Sequence, residues 1–130
     1  MPEPLTILAS IALGALLTMG IVGAIAIVVY IIVKVIDLIK WFRDKKKERI
    51  SGEQKNLIHG SVGARIKDGK VKEIDCNLFN EKEEEYQMVQ FTYDREKDEI
   101  VDLRAVTAKY VDSELEEAHR GGETVVYTNV

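Results

Sequence analysis

Residues 5–33, LTILASIALGALLTMGIVGAIAIVVYIIV, hold no ionisable side chain across twenty-nine successive positions. A helix needs about 20 predominantly apolar residues to cross a hydrocarbon core of about 30 Å, so the run predicts a single N-terminal transmembrane α-helix. It exceeds the apolar core of a cleaved signal peptide, about 7–15 residues, and residues 1–4 lack the basic leader that such a peptide carries. Twenty-nine helical residues extend about 43 Å, beyond one hydrocarbon thickness. The excess is expected to emerge beyond Tyr30 in an aromatic belt, or to be taken up by tilt with Lys34 snorkelling to the interface.

Working outward, residues 34–49 carry seven basic side chains, Lys34, Lys40, Arg43, Lys45, Lys46, Lys47 and Arg49, against Asp37, Asp44 and Glu48. A basic flank stays on the cytoplasmic side of a span. The expected topology is therefore a single-pass protein of the cell (inner or plasma) membrane, with residues 1–4 outside and the remainder in the cytoplasm. Lys40, Arg43, Lys45, Lys46, Lys47 and Arg49 read as the topology signal and as contacts for lipid headgroups. The same stretch predicts an amphipathic juxtamembrane stem, with Ile31, Val35, Leu38, Ile39 and Phe42 on one face. Spacing by threes and fours carries that face back through Ala24, Gly14 and Ser10. The small residues would let a second helix approach closely, so Ser10, Gly14, Ala24, Ile31, Val35, Leu38 and Phe42 form an expected seam for self-association or for a membrane-protein partner.

Beyond a polar connector at 50–56, residues 57–130 read as a small cytoplasmic α+β domain of four to five mostly antiparallel strands and one short helix. From residue 50 onward, eleven basic and eighteen acidic residues give a charge of −7 within a chain total of −4. Such a surface is unsuited to nucleic acid, where affinity comes from neutralised phosphates. Asp68-Gly69-Lys70 marks a hairpin between alternating runs at 57–67 and 71–79. Residues 84–93 alternate as a strand. Residues 99–111 suit helix and strand alike, and the acidic turn at 94–98 favours a strand meander. Ser113 with Glu116 fits a capping box before a helix that Gly121-Gly122 stops, and TVVYTNV at 124–130 reads as a last strand.

Motifs that carry chemistry are weak. Asp94, Glu96, Asp98 and Asp102 occupy positions 1, 3, 5 and 9 of a calcium-type loop, yet Glu99 stands where glycine is needed and Ala105 where a bidentate glutamate is needed. Cys76, His59 and His119 lack the close spacing of a zinc site. Gly60-Ser61-Val62-Gly63 resembles neither a nucleophile elbow, since His59 replaces the required glycine, nor a basic nucleic-acid loop. Glu81, Glu83, Glu84 and Glu85 read as a solubilising loop. No catalytic residue and no cofactor is expected. The sequence thus predicts a membrane-anchored, non-catalytic binding or assembly module, an accessory subunit or a homo-oligomeric scaffold. The competing expectation is a tethered ligand or ion sensor, with Tyr86, Tyr93, Tyr110 and Tyr127 lining a cleft.

Overall fold

The computed structural model describes residue 14 and residues 26–48, 57–80, 85–120, 124–128 and 130. They form a mixed sheet of six strands: β1 (Ile27–Val33), β2 (Leu57–Lys67), β3 (Lys70–Ile74), β4 (Tyr86–Asp94), β5 (Glu99–Val111) and β6 (Val125–Tyr127). Two helices accompany it, α1 (Val35–Lys47) and α2 (Ser113–Arg120). The spatial order is β1-β5-β4-β2-β3, with β6 also paired to β2. Every pairing is antiparallel except β1 with β5, which is parallel.

This architecture corrects the expected fold class. Among the described residues, no helix is long and apolar enough to cross a membrane, and the last seven residues of the apolar run, IVVYIIV, are a strand. A single-pass anchor is therefore not supported, and the membrane localisation and topology built on it fall with it. The physical reason lies in the side chains. Six of these seven residues are β-branched, and branching at Cβ restricts χ1 against the preceding helical turn while suiting a pleated surface. A strand that pairs in parallel is also commonly apolar at every position instead of alternating, so a continuous run does not by itself specify a helix.

The hairpin between β2 and β3 turns on Asp68 and Gly69, both at positive φ (55° and 72°). That is the geometry a two-residue turn matching strand twist requires, and Asp and Gly tolerate it. The strand expected to run to residue 79 stops at Ile74, and a 3₁₀ turn at Leu78–Asn80 buries Leu78 and Phe79 instead. The ambiguous stretch at 99–111 is the strand β5, which pairs along its length with β4. Glycines in the GSVG stretch serve close packing. A Cβ on Gly63 would lie 2.6 Å from the Asp75 carbonyl oxygen, and one on Gly60 would lie 2.7 Å from Phe91 Cζ.

The sheet has two apolar faces. One holds Ile58, Val62, Ala64, Val71, Val89, Phe91, Tyr93 and Ala105, all buried. The other is covered by both helices and packs Leu38, Ile39 and Phe42 of α1 and Leu115 of α2 against Met88, Val106, Ala108 and Tyr127. Val35–Lys47 is thus an amphipathic helix as the periodicity indicates, but its apolar face is turned onto the sheet. Phe42 is fully buried, with its ring 4.9 Å from His59 and 5.4 Å from Tyr127. The helix accordingly runs from the end of β1 across the sheet towards β2 and β6.

A single carboxylate joins the two helix starts. Asp112 Oδ2 accepts the Val35 N–H at 3.2 Å, and its Oδ1 accepts the Leu115 N–H at 2.8 Å, while the Asp112 N–H donates to Val33 O at 3.1 Å. Asp112, not Ser113, therefore caps α2, as an Asx N-cap satisfying the N3 donor. The Lys34 N–H donates to the Asp37 carboxylate at 2.9 Å. At the other end of α1, Lys45, Lys46 and Lys47 fill the last turn, where positive charge is favourable against the helix dipole.

Candidate functional site

Among the described residues, β1 is the terminal strand of the sheet and pairs in parallel with β5. The Ala105 N–H donates to Ala26 O at 2.8 Å, and residue pairing keeps one offset from Ile27 with Ala105 to Val33 with Val111, with Ile31 and Lys109 left out of the ladder. In a parallel ladder the N–H and C=O of one residue point to the same side, and successive residues alternate. Ala26 O and Val33 O are of opposite parity yet both accept from the β5 side, Val33 O from the Asp112 N–H at 3.1 Å, so the alternation breaks within β1. The side chains of Val29 and Ile31 are 75% and 76% exposed. Ile32, Ile36 and Tyr110 extend the exposed apolar surface around the end of the strand.

Two buried constellations hold this edge in place from behind. Arg104 Nε donates to Gln90 Oε1 at 2.7 Å, and Gln90 Nε2 donates to Leu38 O at 2.7 Å. The Arg104 guanidinium lies 4.9 Å over the Trp41 ring. Burial lowers its pKa, opposed by a hydrogen bond with Tyr30 and by the charge of Asp37. The arrangement ties β4, β5, α1 and the central residue of β1 together. It was not visible in the sequence, because a cation and an amide isolated among strand residues carry no spacing signal.

The second constellation looks catalytic on paper. Ser61 Oγ lies 2.8 Å from His119 Nε2 and 2.6 Å from the Tyr127 hydroxyl. His119 Nδ1 is 2.7 Å from Leu115 O, and a carbonyl only accepts, so Nδ1 carries the proton and Nε2 accepts from Ser61. Tyr127 then donates to Ser61. Ser61 is fully buried and His119 is 1% exposed, stacked 4.6 Å from Phe79, so the chain of hydrogen bonds joins β2, α2 and β6 inside the core. Burial lowers the His119 pKa from 6.5 to about 4, against a smaller upward effect of the Leu115 carbonyl. The neutral imidazole is the native form, so the unfolded chain takes up the proton first on acidification. Stability is complete above the unfolded value and is lost as pH falls towards about 4, at about 1.4 kcal/mol per unit. Urea unfolding between pH 6.5 and pH 5 is expected to lose about 1.6 kcal/mol from this group, and His119→Gln is expected to flatten that slope.

The residues singled out from sequence are dispersed. Of the helix seam, Ile31 lies on the strand edge, while Leu38 and Phe42 are core and Val35 packs against it. Gly14 is exposed, and Ser10 and Ala24 lie outside the described residues. Lys40, Arg43 and Lys47 are exposed on α1, Lys45 pairs with Glu48 at 3.5 Å, Lys46 Nζ reaches Val130 O at 3.5 Å, and Arg49 lies outside the described residues. Of the calcium-like set, Asp94 Oδ1 accepts the N–H groups of Glu96 and Lys97, Asp98 accepts the Tyr93 hydroxyl, and Asp102 sits opposite Thr92 in the ladder. Two of the four carboxylates thus shape the hairpin. Among the described residues, no three of His, Cys, Asp and Glu are grouped to hold a metal ion.

Of the four tyrosines expected to line a cleft, Tyr127 does so. The cleft holds roughly 190 Å³ between Val35, Ile39, Leu115, Val125 and Tyr127, below the range of about 300–1,000 Å³ typical of small-molecule sites. Tyr86 instead bonds to Glu116, Tyr93 to Asp98, and Tyr110 is exposed. Comparison with protein-family models, curated proteins and solved structures finds no match to this chain.

Proposed function

We propose that this protein is a non-catalytic binding and assembly module that takes up an extended partner strand along the open side of β1. The observation that carries this reading is the contrast between the two edges of one sheet. β3, at the far edge, carries exposed Lys70, Lys72 and Glu73, with Arg65 bridging Glu73 at 3.1 Å and Asp75 at 3.2 Å. Charged side chains are a common means of blocking unwanted strand pairing. β1 has none, nor a proline, and it exposes Val29 and Ile31.

An apolar, unguarded edge of this length is a template for β-augmentation, in which main-chain hydrogen bonds give affinity and alternate side chains give specificity. The test is the double variant Val29→Lys/Ile31→Lys of the full chain, compared with the parent in sedimentation across a concentration series. The parent is expected to gain mass with concentration and the variant to remain unassociated. Identical behaviour of the two chains would remove the support for edge docking.

A further inference from the structure

We infer that α2 is an acid-released flap: once His119 takes up a second proton, α2 leaves the sheet while β4 and β5 stay paired, and the apolar surface of Phe79 and Tyr127 is uncovered. The open edge of β1 plays no part in it. α2 is held down by two buried side chains. Of its eight residues only Leu115 and His119 are buried, and Leu115 and Ala118 line the cleft shared with α1 and β6, so one flank of the helix already faces open space. The Asp112 carboxylate accepts the Leu115 N–H at 2.8 Å, and the Glu116 carboxylate accepts the Tyr86 hydroxyl at 3.3 Å. An eight-residue helix is marginal in water on its own, so α2 unwinds once it is undocked.

The second proton has no place in the docked geometry. Ser61 Oγ lies between His119 Nε2 and the Tyr127 hydroxyl. While Nε2 is bare, Tyr127 donates to Ser61 and Ser61 donates to Nε2, so every hydrogen at the junction has an acceptor. A proton on Nε2 sets three hydrogens against the two oxygens. One of them then loses its acceptor inside the core, where an unmade hydrogen bond is costly. The imidazolium would also be shut away from water, stacked on Phe79, and an uncompensated buried charge is costlier still.

Nothing described around the ring supplies that compensation. β2 brings Ser61, with His59 engaged by Thr92; β6 brings Tyr127; the 3₁₀ turn brings Phe79; α1 brings Val35 and Ile39 across the cleft. On α2 itself, Glu116 pairs with Arg120 at 2.6 Å and with Tyr86 of β4, while Glu114 and Glu117 are exposed. Asp112 is engaged at both helix starts. Release into water removes both penalties. The docked ring takes its proton at about pH 4 and the free ring at 6.5, so acid favours the undocked form, and undocking is expected to rise about 15-fold between pH 6.5 and pH 5.

Residue-resolved amide hydrogen exchange of the full chain at pH 6.5 and pH 5, read as protection factors, tests the flap. The amides of Glu117, Ala118 and His119 are expected to be at least about 10-fold less protected than those of Val89 and Phe91 in β4, as a locally opening unit requires. They are expected to lose about 15-fold of that protection at pH 5, and His119→Gln is expected to abolish the loss. Equal protection of α2 and β4 at both pH values means that α2 opens only with the whole fold, and it overturns the inference. So does α2 protection that pH leaves unchanged, or an acid loss that survives His119→Gln. Titration of the His119 ring protons in the parent chain assigns the proton without any variant: half-titration below pH 5 is expected, and half-titration at the ordinary value of 6.5 overturns the inference as well.

Discussion

Phe42→Ala is expected to destabilise the fold by about 3–5 kcal/mol, the range found when a fully buried aromatic side chain is cut back in a close-packed core. Phe42 is 0% exposed and its ring meets Trp41, His59 and Tyr127, so its loss opens the junction of α1, β2 and β6 at once. For a domain of this size each kcal/mol shifts the melting temperature by about 4–8 °C, giving a fall of roughly 15–30 °C. The same substitution also separates two accounts of α1. If Val35, Leu38 and Phe42 faced a second helix, Phe42→Ala would change the association state with little effect on the melting temperature. The packing against Met88, Val106 and Tyr127 predicts the reverse. Differential scanning calorimetry beside sedimentation of the same sample decides it.

Val29→Lys/Ile31→Lys has the largest expected effect on association. Each copy presents two exposed aliphatic side chains, and burying one contributes about 1.5 kcal/mol or more. A loss of about 3 kcal/mol or more corresponds to a dissociation constant raised at least about 100-fold. Both residues are exposed in the single chain, so its melting temperature is expected to change little. Light scattering and a thermal melt on the same preparation measure the two quantities.

Much of the local structure was legible. The Asp68-Gly69 turn announces the β2–β3 hairpin through residues that accept positive φ, and the helical periodicity of Val35, Leu38, Ile39 and Phe42 correctly marks one face of α1. What that face packs against was not legible, since periodicity gives an apolar stripe and not its partner. The apolar run misleads because its length alone satisfies the requirement for a span. The composition changes within it, from the Leu, Ala and Gly of its first part to the β-branched IVVYIIV, and that change is the one sequence signal that marks β1. The basic cluster at Lys45, Lys46 and Lys47 likewise has a local account at the end of a helix, which a topology rule does not weigh.

The polar core was out of reach of sequence for another reason. Ser61 comes from β2, His119 from α2 and Tyr127 from β6, and only the pairing of β6 with β2 brings the first and last together. Asp112 precedes a conventional Ser113 cap signal and outcompetes it because its carboxylate reaches two helix starts at once.

The most direct measurement of the central claim is residue-resolved amide hydrogen exchange across β1 as a function of protein concentration. A strand bonded to β5 on one side and open on the other predicts alternation in dilute solution. The amides bonded to β5 should be protected and those on the open side should exchange fast, and the open-side amides should become protected as concentration rises. Uniform protection of all seven amides at every concentration is the pattern of a helix, and it would contradict the strand and the docking edge together.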